Sequence, residues 1–207
     1  MLYLKRKFDI RQWVLFNSSD GKVYLFSEPY VRTSSKEYKG YDPTLPNEDQ
    51  IFMQLTNNAI QKDGEDYGKF EEGNICSIQT LMTQMSKEPQ ADGKSSTELL
   101  ANFKERMIQI VTDTIKSVKG KLLQQKHTFE LLGYDFIFDE ELNTILIEVN
   151  TNPCLEESNA LLKALLPRMI DDLLNIVMDP LFGNPSDKYK STFHLPGKVF
   201  GDHDMNH

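Results

Sequence analysis

The chain has 207 residues, 39% apolar and 26% charged, with a formal net charge of −8 and two cysteines, Cys76 and Cys154. This is the make-up of a soluble globular protein of one domain or slightly more, with room for one disulfide at most and reduced thiols expected. The acidic balance argues against nucleic acid as a partner, and no apolar run approaches the roughly 20 residues that cross a bilayer, so the chain reads as cytoplasmic, with neither nucleic acid nor membrane as a partner.

Phe8, Ile10, Val14 and Phe16 share one parity, interrupted by Gln12, while Lys7, Asp9 and Arg11 share the other and are followed by Trp13 and Leu15. This predicts a strand whose second face is polar at one end and apolar at the other. Ser18-Ser19-Asp20-Gly21 predicts a turn, and residues 23–26 a return strand. Residues 28–47, broken by Pro29, Gly40, Pro43 and Pro46, read as irregular. Residues 50–62 have no firm period, 63–74 form a polar loop, 75–85 a short helix and 89–96 a surface loop.

The clearest helix spans 97–119, with Leu100, Phe103, Met107, Ile110, Val111 and Ile115 at three- and four-residue spacing and Gly120 as its stop. A capping box starting at Thr97 is absent, because Leu100 stands where an acid or amide is needed. Residues 129–132 lead through Gly133 into strands at 134–139 and 144–149. A second helix at 161–178 turns Leu162, Leu165, Leu166, Met169, Ile170, Leu173 and Leu174 inward, with Pro167 expected to kink or divide it. From Gly183 the chain is polar and rich in Pro, Gly, Asp and His, which divides it into a domain at 1–182 and a flexible tail at 183–207. The expected fold is α/β of the α+β kind: a mainly antiparallel sheet with an acidic face and both long helices on its back.

The chemistry concentrates in the second hairpin. Paired through a loop centred between Glu141 and Leu142, Phe138 would face Ile145 and Phe136 would face Ile147, giving an apolar side for the core. On the other side Asp135 would face Glu148, with Asn150 two residues further along. Two opposed carboxylates repel, so one is protonated or a cation lies between them. With the amide oxygen of Asn150 the set would be three hard oxygen ligands, which suits Mg²⁺. A solvent-facing acidic hairpin accounts for the same residues, and a slip of one residue would carry a carboxylate to the wrong face. Likewise Arg11 could pair structurally with Asp9, Arg32 could be an exposed loop residue, and Lys7 could belong to a solvated run with Lys5 and Arg6. His127, His194, His203 and His207 have no metal-ligand spacing.

Five stretches, Lys7-Phe8-Asp9-Ile10-Arg11, Glu28-Pro29-Tyr30-Val31-Arg32-Thr33, Leu55 to Lys62, Phe129 to Phe136 and Ile147 to Pro153, resemble in order the C-terminal part of the tubulin tyrosine ligase-like family of ATP-grasp enzymes. The resemblance implies an ATP- and Mg²⁺-dependent carboxylate–amine ligase. It would join a free amino acid to the acidic tails of tubulin by tyrosination, glutamylation or glycylation, at the cytoskeleton or in cilia. Asp135, Glu148 and Asn150 would hold Mg²⁺ against the ATP phosphates, Lys7 would touch the nucleotide, and Arg11 and Arg32 would bind the acyl phosphate or the acceptor. Thr56, Asn57 and Lys62 would line the same cleft. Family members carry further sequence before the Lys-Phe-Asp-Ile-Arg motif, including part of the nucleotide cleft, so this chain is expected to ligate poorly alone. A catalytically inactive, microtubule- or partner-binding fragment is the alternative.

Overall fold

The computed structural model describes residues 1–118, 121, 128–182 and 193–194. In chain order the elements are β1 (Arg6–Asn17), β2 (Lys22–Phe26), β3 (Tyr30–Glu37), α1 (Asn47–Gln54), α2 (Asn58–Gln61), β4 (Ile75–Ser77), α3 (Ile78–Met85), α4 (Ser96–Val118), β5 (Phe129–Phe138), β6 (Thr144–Asn150), α5 (Ala160–Phe182) and β7 (Phe193–His194). The described strands form one antiparallel sheet centred on β1, so the α+β class holds. One edge of β1 carries β5, then β6. The other edge is divided: β3 pairs with its first half and β2 with its second.

Both parities of β1 are buried. Phe8, Ile10, Val14 and Phe16 face a layer built from Leu81, Met82 and Met85 of α3 and Phe103, Met107, Val111 and Ile115 of α4. Trp13 and Leu15 point the other way and meet Leu162, Leu165, Leu166, Met169 and Leu173 of α5. The two long helices therefore lie on opposite faces, not together on one back. The reason is in β1 itself: each fully buried side chain of this size gains about 1.5–3 kcal/mol over exposure, so Trp13 and Leu15 need their own cover. Only the polar end of that second face stays uncovered by α5. Along α5, Val177 is inward, whereas Ile170 and Leu174 are exposed, and the helix runs through Pro167 undivided.

Residues 30–37, expected to be irregular, form β3. Thr33, Ser34 and Ser35 are buried there, so no hydrophobic alternation marks the strand. Side chains satisfy them instead: Thr33 Oγ1 donates to Glu71 Oε2 at 3.0 Å, and the Ser35 N–H donates to Gln61 Oε1 at 2.9 Å. The expected helix at 75–85 gives its first three residues to β4, and Ser77 Oγ caps α3 by accepting the Thr80 N–H at 3.1 Å. The capping box of α4 lies two residues before Thr97: the Ser95 N–H donates to Glu98 Oε2 at 2.8 Å and the Glu98 N–H to Ser95 Oγ at 3.3 Å. The Gly120 stop and most of the 183–207 tail lie outside the described residues, although Phe193 and His194 pair with Phe26 and Leu25. No helix among the described residues is long and apolar enough to cross a membrane.

In the β5–β6 hairpin Asp135 faces Glu148 as expected, but a bulge between Asp135 and Phe136 takes up one residue. Phe136 then faces Leu146, Ile137 faces Ile145 and Phe138 faces Thr144, so the remaining pairs differ from the expected register. Leu146 packs on the core, while Ile145, Ile147 and Val149 are exposed on β6, which among the described residues pairs on one side only.

Candidate functional site

Strand register assembles the site. Asp9 on β1 faces Arg32 on β3, and Arg11 on β1 faces Asp135 on β5, which in turn faces Glu148 on β6. All these side chains rise from the polar end of the face whose other end lies under α5. Asp9, Arg11, Arg32 and Asp135 are each 7% exposed or less, so their charges must be met within the protein.

They are met by one chain of bidentate bonds. Asp9 accepts Arg32 Nε at 2.6 Å and Arg32 Nη2 at 2.8 Å, together with the Thr56 hydroxyl. Arg32 Nη2 also donates to Asp135 Oδ2 at 2.8 Å. Asp135 takes Arg11 through Nε and, at 3.0 Å, through Nη2. Burial by itself would raise the Asp135 carboxyl; the Arg11 hydrogen bond and the charges of Arg32 and Arg11 outweigh it and hold the group below its ordinary value. Burial would also lower the Arg32 guanidinium, but Asp9 and Asp135 hold it above its ordinary value. Arg32 thus stays charged.

Asn150 completes the acidic side. Its Nδ2 donates to Glu148 Oε1 at 3.0 Å and to Asp135 Oδ2 at 3.4 Å. The facing carboxylates are therefore reconciled by two guanidiniums and an amide, and their juxtaposition alone does not require a cation. The donor set still fits Mg²⁺: the exposed Glu148 carboxylate, a carboxylate at Asp135, and the Asn150 oxygen once its amide turns. Among the described residues no group of three or more His, Cys, Asp or Glu is arranged for a metal.

These groups open into a cleft of about 220 Å³, bordered by Arg11, Arg32, Asn57, Lys62, Glu148 and Asn150. Six of the sequence-predicted residues thus share one cavity. Thr56 lies behind it, bonded to Asp9. Lys7 does not join it: its ammonium sits 4.3 Å from the Tyr38 ring centre, and it lines a separate cavity with Lys5, Glu37 and Tyr38. Arg32 is a buried strand residue rather than a loop residue, and the partner of Arg11 is Asp135 rather than Asp9.

Two supporting residues escaped the sequence reading. Gln61 is fully buried; its Nε2 donates to Leu55 O at 2.5 Å and to Phe52 O at 3.2 Å, while its Oε1 accepts the Ser35 N–H at 2.9 Å and Asn74 Nδ2 at 3.1 Å. It thereby fastens the Leu55–Asn57 segment to β3. Gly133 faces Trp13 across β5 and β1, and a Cβ there would lie 3.0 Å from Pro153 Cβ and 3.2 Å from Arg11 Nη1. A glycine here leaves the Arg11 side chain room to pass, where a Cβ would press on it and on Pro153. The polar periodicity of Asp9 was visible in the sequence, but its pairing depends on β3, which was not.

The chemistry available is that of an anion held by Arg11, Arg32 and Lys62 beside a cation held by oxygen ligands. The neighbouring Tyr30 phenol is pushed above its ordinary value by burial, against the charges of Arg11 and Arg32, and stays protonated.

The model of the tubulin-tyrosine ligase family matches residues 1–186. Tubulin glycylase 3D of Tetrahymena thermophila is 32% identical over 86% of this chain and 17% of its own length. The probable alpha-tubulin polyglutamylase Ttll1 of the same organism is 29% identical over 94% of this chain and 45% of its own length. The mouse protein polyglycylase TTLL10 is 27% identical over 84% and 24% respectively. The chain therefore spans less than half the length of each of these relatives.

Proposed function

Because the chain belongs to the tubulin-tyrosine ligase family, we propose that it forms the metal- and anion-binding side of a ligase that joins an amino acid to tubulin tails. The observation that carries this reading is the convergence of Arg11, Arg32, Lys62, Glu148 and Asn150 on one cleft, with Asp135 beneath it. A carboxylate is a poor electrophile until it is phosphorylated, and an acyl phosphate can then be attacked by an amine. ATP would give its γ-phosphoryl group to the carboxylate and leave as ADP, the amine would then expel phosphate from the acyl carbon, and Mg²⁺, which Asp135, Glu148 and Asn150 would hold, would shield the phosphoryl charge. Arg11 and Arg32 hold the anionic carboxylate or phosphate side of the reactants in place. Asn57 and Lys62 border the same cleft and orient the same group. Such activity places the protein at the cytoskeleton or in cilia.

The test is ATP-dependent incorporation of labelled tyrosine, glutamate or glycine into tubulin. Weak incorporation by this chain is expected with at least one amino acid and is lost in Glu148→Gln; labelling that survives in Glu148→Gln overturns the site assignment. A second reading is a non-catalytic microtubule- or partner-binding portion of the same fold, since the buried carboxylates and guanidiniums already satisfy one another without a ligand. Microtubule co-sedimentation that ignores ATP and Mg²⁺, with no incorporation, selects it.

A further inference from the structure

Asp9 lies outside the proposed ligand sets, yet it is buried and fully engaged, taking both donors of one edge of Arg32 as well as the Thr56 hydroxyl. Arg32 spends Nη2 twice, on Asp9 and on Asp135. Asp135 in turn spends its carboxylate on both arginines. Two carboxylates and two guanidiniums thus cancel, leaving Glu148 as the uncompensated acid beside Asp135, with Lys62 and Glu156 as further charged groups on the cleft wall.

The charge of Asp9 decides how firmly Arg32 grips Asp135. With the Asp9 carboxylate in place, Arg32 is already compensated, and Asp135 can be shared with a cation. Without it, Arg32 and Arg11 both depend on Asp135, which then serves two guanidiniums and repels a metal. We infer that Asp9 is a positioning residue that tunes divalent-cation affinity at Asp135, Glu148 and Asn150 by compensating Arg32. This rests on the cation site of the proposed function and adds to it a residue that never touches the ion.

The experiment is Mn²⁺ titration of the full 207-residue chain, read by the electron paramagnetic resonance signal of free Mn²⁺, with no turnover involved. Asp9→Asn is expected to raise the dissociation constant by about tenfold, the scale of one unit charge acting on a divalent ion within a partly screened interior. Arg32→Gln is expected to lower it, because two carboxylates then answer to Arg11 alone. The double variant Asp9→Asn/Arg32→Gln is expected to return near the wild-type value, a compensation that damage to packing would not produce. Equal constants for wild type and Asp9→Asn, or a double variant as weak as Asp9→Asn, overturn the inference. If Asp9→Asn does not fold, Arg32→Gln decides: binding no tighter than wild type overturns it. Mn²⁺ binding that Glu148→Gln leaves unchanged, or no binding by the wild type, defeats the cation site itself, a result distinct from the failure of Asp9.

Discussion

The two ends of one face of β1 are held by different forces. At residues 9 and 11 the side chains are tied to β3 and β5 by short, directional bonds between charges. At residues 13 and 15, on the same strand and the same parity, Trp13 and Leu15 are held by apolar contact with α5; Trp13 packs on Tyr30 at 5.1 Å and Phe26 at 5.7 Å between ring centres. Apolar burial tolerates small shifts and fixes no charge, whereas the charged end fixes the position of each donor and acceptor. The site is built where the directional forces are.

The largest expected effects come from breaking each end in turn. Trp13→Ala should cost about 3–5 kcal/mol by emptying a fully buried volume. Asp135→Ala should cost about 3–5 kcal/mol by leaving two buried guanidiniums with too little compensation. Chemical denaturation at neutral pH should find the two alike, and pH should separate them. Because folding lowers the Asp135 pKa from its ordinary 3.8, its contribution is present above that pH and is lost as pH falls through the folded value. The gap between Asp135→Ala and wild type should therefore shrink on acidification, while that of Trp13→Ala persists. A gap for Asp135→Ala that is flat with pH would show that the charged end is held by packing after all.

Gly133→Ala, where Arg11 crosses the strand, should lower ligand affinity more than stability. The test compares a thermal melt with anion or Mn²⁺ binding. A smaller effect is expected at the join between the two ends. Asn159 caps α5 by accepting the Leu162 N–H at 2.8 Å and donates to Glu72 O at 2.9 Å, so Asn159→Ala should cost about 1 kcal/mol in a urea melt. The smallest effect is chemical. Burial first, and the Glu71 charge second, push the Cys76 thiol up to about 12, while Cys154 is exposed at the cleft. A thiol reagent at neutral pH should label Cys154 alone in the native protein and both cysteines after denaturation.

The apolar end was the more legible in the sequence. The alternation around Phe8–Phe16 and the spacing in α4 and α5 mark the elements and most of their inner residues, with Ile170 and Leu174 the exceptions, because burial repeats with the period of the backbone. Which face each helix covers was misjudged, although Trp13 and Leu15 carried the signal. β3 carries no apolar alternation because its buried Thr33 and Ser35 are satisfied by Glu71, Gln61 and Asn74, residues that the sequence does not place nearby. The facing of Asp135 and Glu148 was readable, but the bulge beside it was not, since nothing local marks the extra residue. Lys7, which the motif assigns to the nucleotide, lies by Tyr38 in a separate cavity.

The outer side of β6 bears on handling. Ile145, Ile147 and Val149 line a strand whose far edge has no neighbour among the described residues. Greasy side chains beside unclaimed backbone donors are a template for self-association, so concentrated solutions of this chain should turn cloudy through that edge. A lysine at position 147 should keep them clear without touching the cleft.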